Sequence, residues 1–219
     1  MAPIIKTEKE IEILREGGKI LGSILEAVIA KVVPGVSTNE LDNYANSLVI
    51  EHGGEPAFLN YQPDGAEYPY PASICISVND EVVHGIPGSR LLIEGDIVSL
   101  DLGFKYKGMF TDHARSVGVG NISPSSKKLL SVAEEALYIG IGEARGGNVV
   151  GDIGFAIETH LKSHKYGIVR ELAGHGVGRA IHEDPYIPNF GKAGKGEKLV
   201  PGMVIAIEPM VNELSLIHI

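Results

Sequence analysis

Two ten-residue stretches of the chain repeat one another at a constant offset of 107 residues: Leu92-Ile-Glu-Gly-Asp-Ile-Val-Ser-Leu-Asp101 and Leu199-Val-Pro-Gly-Met-Val-Ile-Ala-Ile-Glu208. Leu, Gly and the apolar alternates coincide, and a carboxylate closes both. The spacing is far longer than the roughly 20–50 residues of solenoid repeats, so it points to duplication of half a domain. The expectation is one domain over residues 1–219, with related halves at about 1–120 and 121–219. A carboxylate ending an apolar run is costly to bury unless it meets a metal or another cation. Two such acids on related strands would face each other across the centre of the domain.

Local signals give each half the order helix, helix, strands. Thr7 with Glu10 forms a capping-box pattern, and Ile11, Leu14, Gly18, Leu21, Leu25 and Val28 then recur at helical spacing. Ser37 with Glu40 repeats the pattern and opens a second helix that stops at Gly53-Gly54. Four β-favouring runs, 74–78, 81–86, 96–104 and 114–120, are separated by Asn, Asp, Gly and Pro and read as an antiparallel meander. Ser123-Pro124 starts a third helix; helical segments follow over 127–144 and 153–164, and strand-like sequence returns after Gly167. The fold class is α+β around a central antiparallel sheet.

Composition narrows the function. With 28 Asp and Glu against 19 Lys and Arg, the net charge of −9 argues against binding nucleic acid, which needs clustered cations to displace counterions. Cys75 is the only cysteine, so there is no internal disulfide and no all-cysteine zinc site. Glu26 and Lys31 interrupt the best apolar stretch, well short of the roughly 18 residues of a membrane span. The first ten residues lack the apolar core of a signal peptide. The expectation is a cytoplasmic protein with no membrane partner, acting as a monomer.

The residues able to do chemistry sit near turns and strand ends. Asp101 and Asp112 come side by side on neighbouring strands if 105–108 form a hairpin turn, and two like charges there call for a cation between them. His175 lies among glycines in Ala-Gly-His-Gly-Val-Gly-Arg, and His182 follows in Ile-His-Glu-Asp-Pro. Those glycines lack the G-x-G-x-x-G register and the lysine of a phosphate loop. His84 closes a run before Gly-Ile-Pro. Each histidine alone is compatible with a structural role; the mixed carboxylate and imidazole set suits divalent ions such as Mn, Fe, Co or Zn. Bridging carboxylates hold two such ions about 3.5–4 Å apart.

Five ordered segments carry a family resemblance: Ser-Val-Asn-Asp-Glu-Val-Val-His84-Gly-Ile-Pro, Asp-Ile-Val-Ser-Leu-Asp101-Leu-Gly, Thr-Asp112, Gly-His175-Gly-Val-Gly-Arg-Ala-Ile-His182-Glu-Asp-Pro, and Ala-Ile-Glu208-Pro-Met-Val-Asn. From about Ile4 to Asn212 the chain resembles the type I methionine aminopeptidases of the pita-bread metallopeptidase family. The resemblance implies a pseudo-twofold pita-bread fold and metal-dependent release of the initiator methionine from nascent chains with a small second residue, with transient ribosome contact. It implies that Asp101, Asp112, His175 and Glu208 bind two metal ions. It further implies that Glu208 activates the attacking water, and that His84 and His182 contact the scissile peptide and stabilise the intermediate. Phe58, Tyr61, Tyr70 and Cys75 match the pocket for the methionine side chain, although an insertion over 62–68 interrupts the match.

One departure stands out. The family's fifth ligand, a second bridging Glu, belongs to a later strand absent from this chain, and Glu213 is too close to Glu208 to be its hairpin partner. The ending Leu-Ser-Leu-Ile-His-Ile leaves the family pattern and reads as a non-native tail over 214–219, so His218 is not proposed as a ligand. Two alternatives stand beside the aminopeptidase: an Xaa-Pro hydrolase of the same fold, and a binding module impaired by the missing ligand.

Overall fold

Ser37 Oγ accepts from the Glu40 amide at 3.2 Å while Glu40 Oε2 accepts from the Ser37 amide at 2.8 Å. This reciprocal box starts helix α2, Thr38–Glu51, where the sequence places it. The computed structural model describes residues 3–63 and 65–213. Met1, Ala2, Asp64 of the 62–68 insertion, and the 214–219 tail with His218 lie outside the described residues. The chain forms two compact units, one of residues 9–126 with 178–181, the other of residues 1–8, 127–177 and 182–219.

The first unit carries α1 (Glu8–Ile29), α2, and strands β1 (Glu55–Pro56), β2 (Cys75–Val78), β3 (Ile97–Tyr106) and β4 (Met109–Gly118). One edge of β3 pairs with all of β4; the other pairs with β2 and, further along, β1. Its core joins Leu21, Leu25 and Val28 of α1 and Leu41 and Ala45 of α2 to Leu100, Leu102 and Phe104 of β3. The glycine of α1 buried against the sheet is Gly17, not Gly18. The run 81–86 is not a strand. It is an irregular loop in which His84 takes a left-handed φ of 59°, and the Gly85 carbonyl accepts from Ile76 N at 2.9 Å.

The second unit carries α3 (Pro124–Glu143), α4 (Val150–Ser163), and short strands β5 (Gly167–Ile168), β6 (Gly174–Gly176), β7 (Glu183–Ile187) and β8 (Val211–Asn212), paired as β5–β8 and β6–β7. Val132 and Ala136 of α3 pack with Ile153, Ile157 and Leu161 of α4. Helix α4 begins three residues before the expected Ile153, because Asp152 Oδ2 accepts from the Val149 amide at 2.9 Å although Val149 has no capping oxygen of its own.

A pattern of backbone bonds found within one unit recurs within the other, its strand-side members 107 residues apart and its helix-side members 112 apart. Gly35 N donates to Leu92 O, and Gly147 N to Leu199 O; Leu92 N donates to Val36 O, and Leu199 N to Asn148 O. Thr38 N to Arg90 O is matched by Val150 N to Glu197 O. Gly95 and Gly202, 107 residues apart, both hold left-handed turns at φ 98° and 92°. The repeat is incomplete at its end: Ile97–Tyr106 is a ten-residue strand, whereas Met203–Glu208 is extended chain with one bridge, Ile205 to Gly176. Its bonding there is to the β6 side, Val177 N to Val204 O and Ala206 N to His175 O.

Candidate active site

The β3–β4 hairpin turns on two residues, Lys107 and Gly108, both with positive φ (50° and 81°), as a right-twisted two-residue loop requires. This is tighter than a turn over 105–108 and moves the register by two. Asp101 therefore pairs with Ala114, and Asp112 with Gly103. The two carboxylates are diagonal neighbours on one face rather than directly opposite, with backbones about 7–8 Å apart. Cys75 stands across from Asp101 on the other side of β3, on that same face. A Cβ at Gly103 would lie 2.8 Å from the Phe58 ring, so the missing side chain admits Phe58 beside Asp112.

Phe58, Cys75, Tyr61 and Tyr70 gather in one small apolar cluster with Ile181 and Phe110. The last two were not singled out from sequence; as generic apolar residues they give no local signal. Tyr70 Oη donates to the Gly85 carbonyl at 2.8 Å, tying the His84 loop to this cluster. Burial, followed by the charge of Asp101, raises the pKa of the Cys75 thiol and keeps it neutral; burial likewise raises the Tyr70 phenol. His84 is exposed beside the cluster.

In the other unit, His175 is the central residue of β6. A Cβ on Gly174 would collide with the Ala206 carbonyl, and one on Gly176 with the Asp184 carbonyl. The glycines thus let neighbouring backbone close on the strand. His175 Nδ1 lies 2.8 Å from the Gly176 carbonyl and donates to it, which leaves the lone pair on Nε2. That nitrogen is 3.2 Å from Glu208 Oε1, a buried oxygen with no hydrogen bond of good geometry. The His182 ring meets the His175 ring edge-on at 4.4 Å, and His182 is exposed. Asn189 is fully buried and donates to the Glu208 carbonyl at 2.6 Å, fixing the backbone that presents the carboxylate. Sequence reading missed Asn189, as nothing local marks it.

These donors fit divalent cations. Asp101 and Asp112 offer oxygens on one sheet face of their unit; in the other unit the His175 ring is oriented by its Nδ1 bond with Nε2 against Glu208 Oε1, a desolvated oxygen that a cation would satisfy. A profile of metallopeptidase family M24 matches residues 12–218. The chain belongs to metallopeptidase family M24. It is similar to methionine aminopeptidase of Clostridium perfringens, 47% identical over 209 residues, which span 95% of this chain and 82% of that protein. Methionine aminopeptidase 1 of Bacillus subtilis is also 47% identical, with the same coverage. The crystal structure of methionine aminopeptidase from Rickettsia prowazekii superimposes with a TM-score of 0.92 at 38% identity, over 96% of this chain and 82% of that one. This M24 chain has the α+β pita-bread fold, and its family is one of metallopeptidases that use divalent ions. Among its described residues, no helix is long and apolar enough to cross a membrane.

Proposed function

We propose that this M24 chain is a methionine aminopeptidase that hydrolyses the first peptide bond of nascent proteins whose second residue is small. The observation that carries the proposal is the shared sheet face, where Asp101 and Asp112 adjoin the cluster of Phe58, Tyr61, Tyr70 and Cys75. Ligands for a hard cation and an apolar cleft suited to a flexible thioether thus lie together.

Asp101, Asp112, His175 and Glu208 are proposed to hold two divalent ions drawn from Co, Mn, Fe or Zn. When bound, such ions supply Lewis acidity and lower the pKa of water toward neutrality. Glu208 accepts the proton of the attacking water and returns it to the departing amine. His182 and His84 donate hydrogen bonds to the scissile peptide and to the oxygen that becomes anionic. The neutral Cys75 thiol and the aromatic rings around it receive the methionine side chain. The protein acts in the cytoplasm as a monomer, with transient ribosome contact bringing nascent N-termini to it.

Peptides beginning Met-Ala are expected to be cleaved with added Co or Mn, and Ala-Pro peptides to resist; preferential cleavage of the latter would replace this reading with an Xaa-Pro hydrolase. In the same assay, His182→Ala is expected to reduce turnover by roughly 10²-fold or more, as loss of a transition-state donor does. Metal content by elemental analysis is expected to stay unchanged. Loss of metal would instead make His182 a ligand.

A further inference from the structure

A second set of metal donors lies on the helices of the 127–177 unit and shares no residue with the site above. His160 in the last turn of α4 and His164, the residue that caps its C-terminal end, stand four residues apart. Their ring centroids are 4.7 Å apart. Glu135 reaches them from α3, with Oε2 3.4 Å from His160 Nε2. One ring nitrogen from each histidine and one oxygen of Glu135 all lie within 4.8 Å of one another. Ligand atoms of a tetrahedral zinc ion, each about 2.0–2.1 Å from the metal, are separated by about 3.3 Å. The Glu135–His160 spacing already meets that figure.

Three further contacts prepare the set for a cation. Glu135 Oε1 accepts from Ser131 Oγ at 3.0 Å, one turn earlier on α3, which leaves Oε2 turned to His160. His164 Nδ1 lies 3.1 Å from the His160 carbonyl, an acceptor only, so it carries the proton and Nε2 keeps the lone pair. His160 Nε2 is buried and makes no hydrogen bond. A buried ring nitrogen that meets Glu135 Oε2 at 3.4 Å without a hydrogen bond is poorly satisfied, and a metal ion between the two would satisfy both. The helices beneath are closely packed, since a Cβ on Gly140 of α3 would lie 2.8 Å from Ile157 of α4; the donors are thus presented from a firm base.

We propose that Glu135, His160 and His164 form a zinc site that clips α3 to α4. Two imidazoles and one carboxylate select a borderline transition ion over magnesium or calcium, and three protein ligands leave the fourth position to water.

The test uses the full chain and zinc chloride, following the imidazole proton resonances of His160 and His164 by NMR and bound zinc by equilibrium dialysis. The expected result is that both imidazoles shift together on zinc addition, and that His164→Gln retains one zinc fewer than the parent at equal free zinc. Glu135→Gln is expected to weaken this zinc at least tenfold, and circular dichroism to show both variants folded. Zinc counts equal in parent and His164→Gln, or His160 and His164 resonances that ignore zinc, would overturn the proposal. Because the histidine resonances report this set alone, an unaltered His160 and His164 signal refutes the clip whether or not the protein releases methionine.

Discussion

Glu208→Gln is expected to lower the rate of methionine release by roughly 10²–10⁴-fold, the range lost with a general base. Gln keeps the volume of Glu but has neither its charge nor its basicity, so both the proton transfer and one metal ligand go together. The bond from Asn189 Nδ2 is to the Glu208 carbonyl and survives the change. The melting temperature is therefore expected to stay near that of the parent while bound metal falls. Steady-state turnover, elemental analysis and thermal denaturation on the same preparation check all three. Activity within tenfold of the parent would show that the carboxylate is not the base.

The largest stability effect is expected at the pair formed by Lys6 and Glu183. Lys6 Nζ lies 2.5 Å from Glu183 Oε2, and the two side chains are 1% and 2% exposed. Lys6 Nζ also donates to the Ile4 carbonyl at 3.2 Å, and the Lys6 amide donates to Gly202 O at 2.9 Å, so the ion pair fastens the chain before α1 to the start of β7. Removing one member breaks a buried ion pair, which costs about 3–5 kcal/mol. Lys6→Met alone is expected to lower the melting temperature by roughly 10 °C. The double replacement Lys6→Met with Glu183→Leu is expected to recover most of that loss, since an apolar pair of similar volume has no charge to desolvate. A single variant as stable as the parent would show that water reaches the pair.

Much of this protein was legible along the chain because the signals are short-range or repeated. The capping box at Ser37 and Glu40 acts over three residues and forms as read. The 107-residue offset reappears in the strand-side members of matched backbone bonds, Leu92 and Arg90 being answered by Leu199 and Glu197, while their partner Gly35 is answered by Gly147, 112 residues on. Motifs around His84, Asp101, Asp112, His175 and Glu208 single out the residues proposed for the chemistry, as reactive side chains stand out in an apolar setting.

What the sequence left open is what depends on packing between distant segments. A two-residue turn at Lys107 and Gly108 set Asp101 and Asp112 diagonally, and nothing within either strand distinguishes that register from its neighbours. The run at 81–86 has strand propensity, yet the Gly85 backbone is held against β2 and by Tyr70, and His84 bends into a left-handed turn. Lys6 finds Glu183 across 177 residues of sequence, and Glu135 finds His160 from the next helix, with no local pattern to announce either. Helix caps and apolar periodicity are decided by neighbours a few residues away, and so the sequence by itself determined the helices and the β3–β4 hairpin and singled out candidate reactive residues. Strand register, buried ion pairs and donor sets assembled from separate helices are decided by which surfaces exclude water together, and only the tertiary structure settles that.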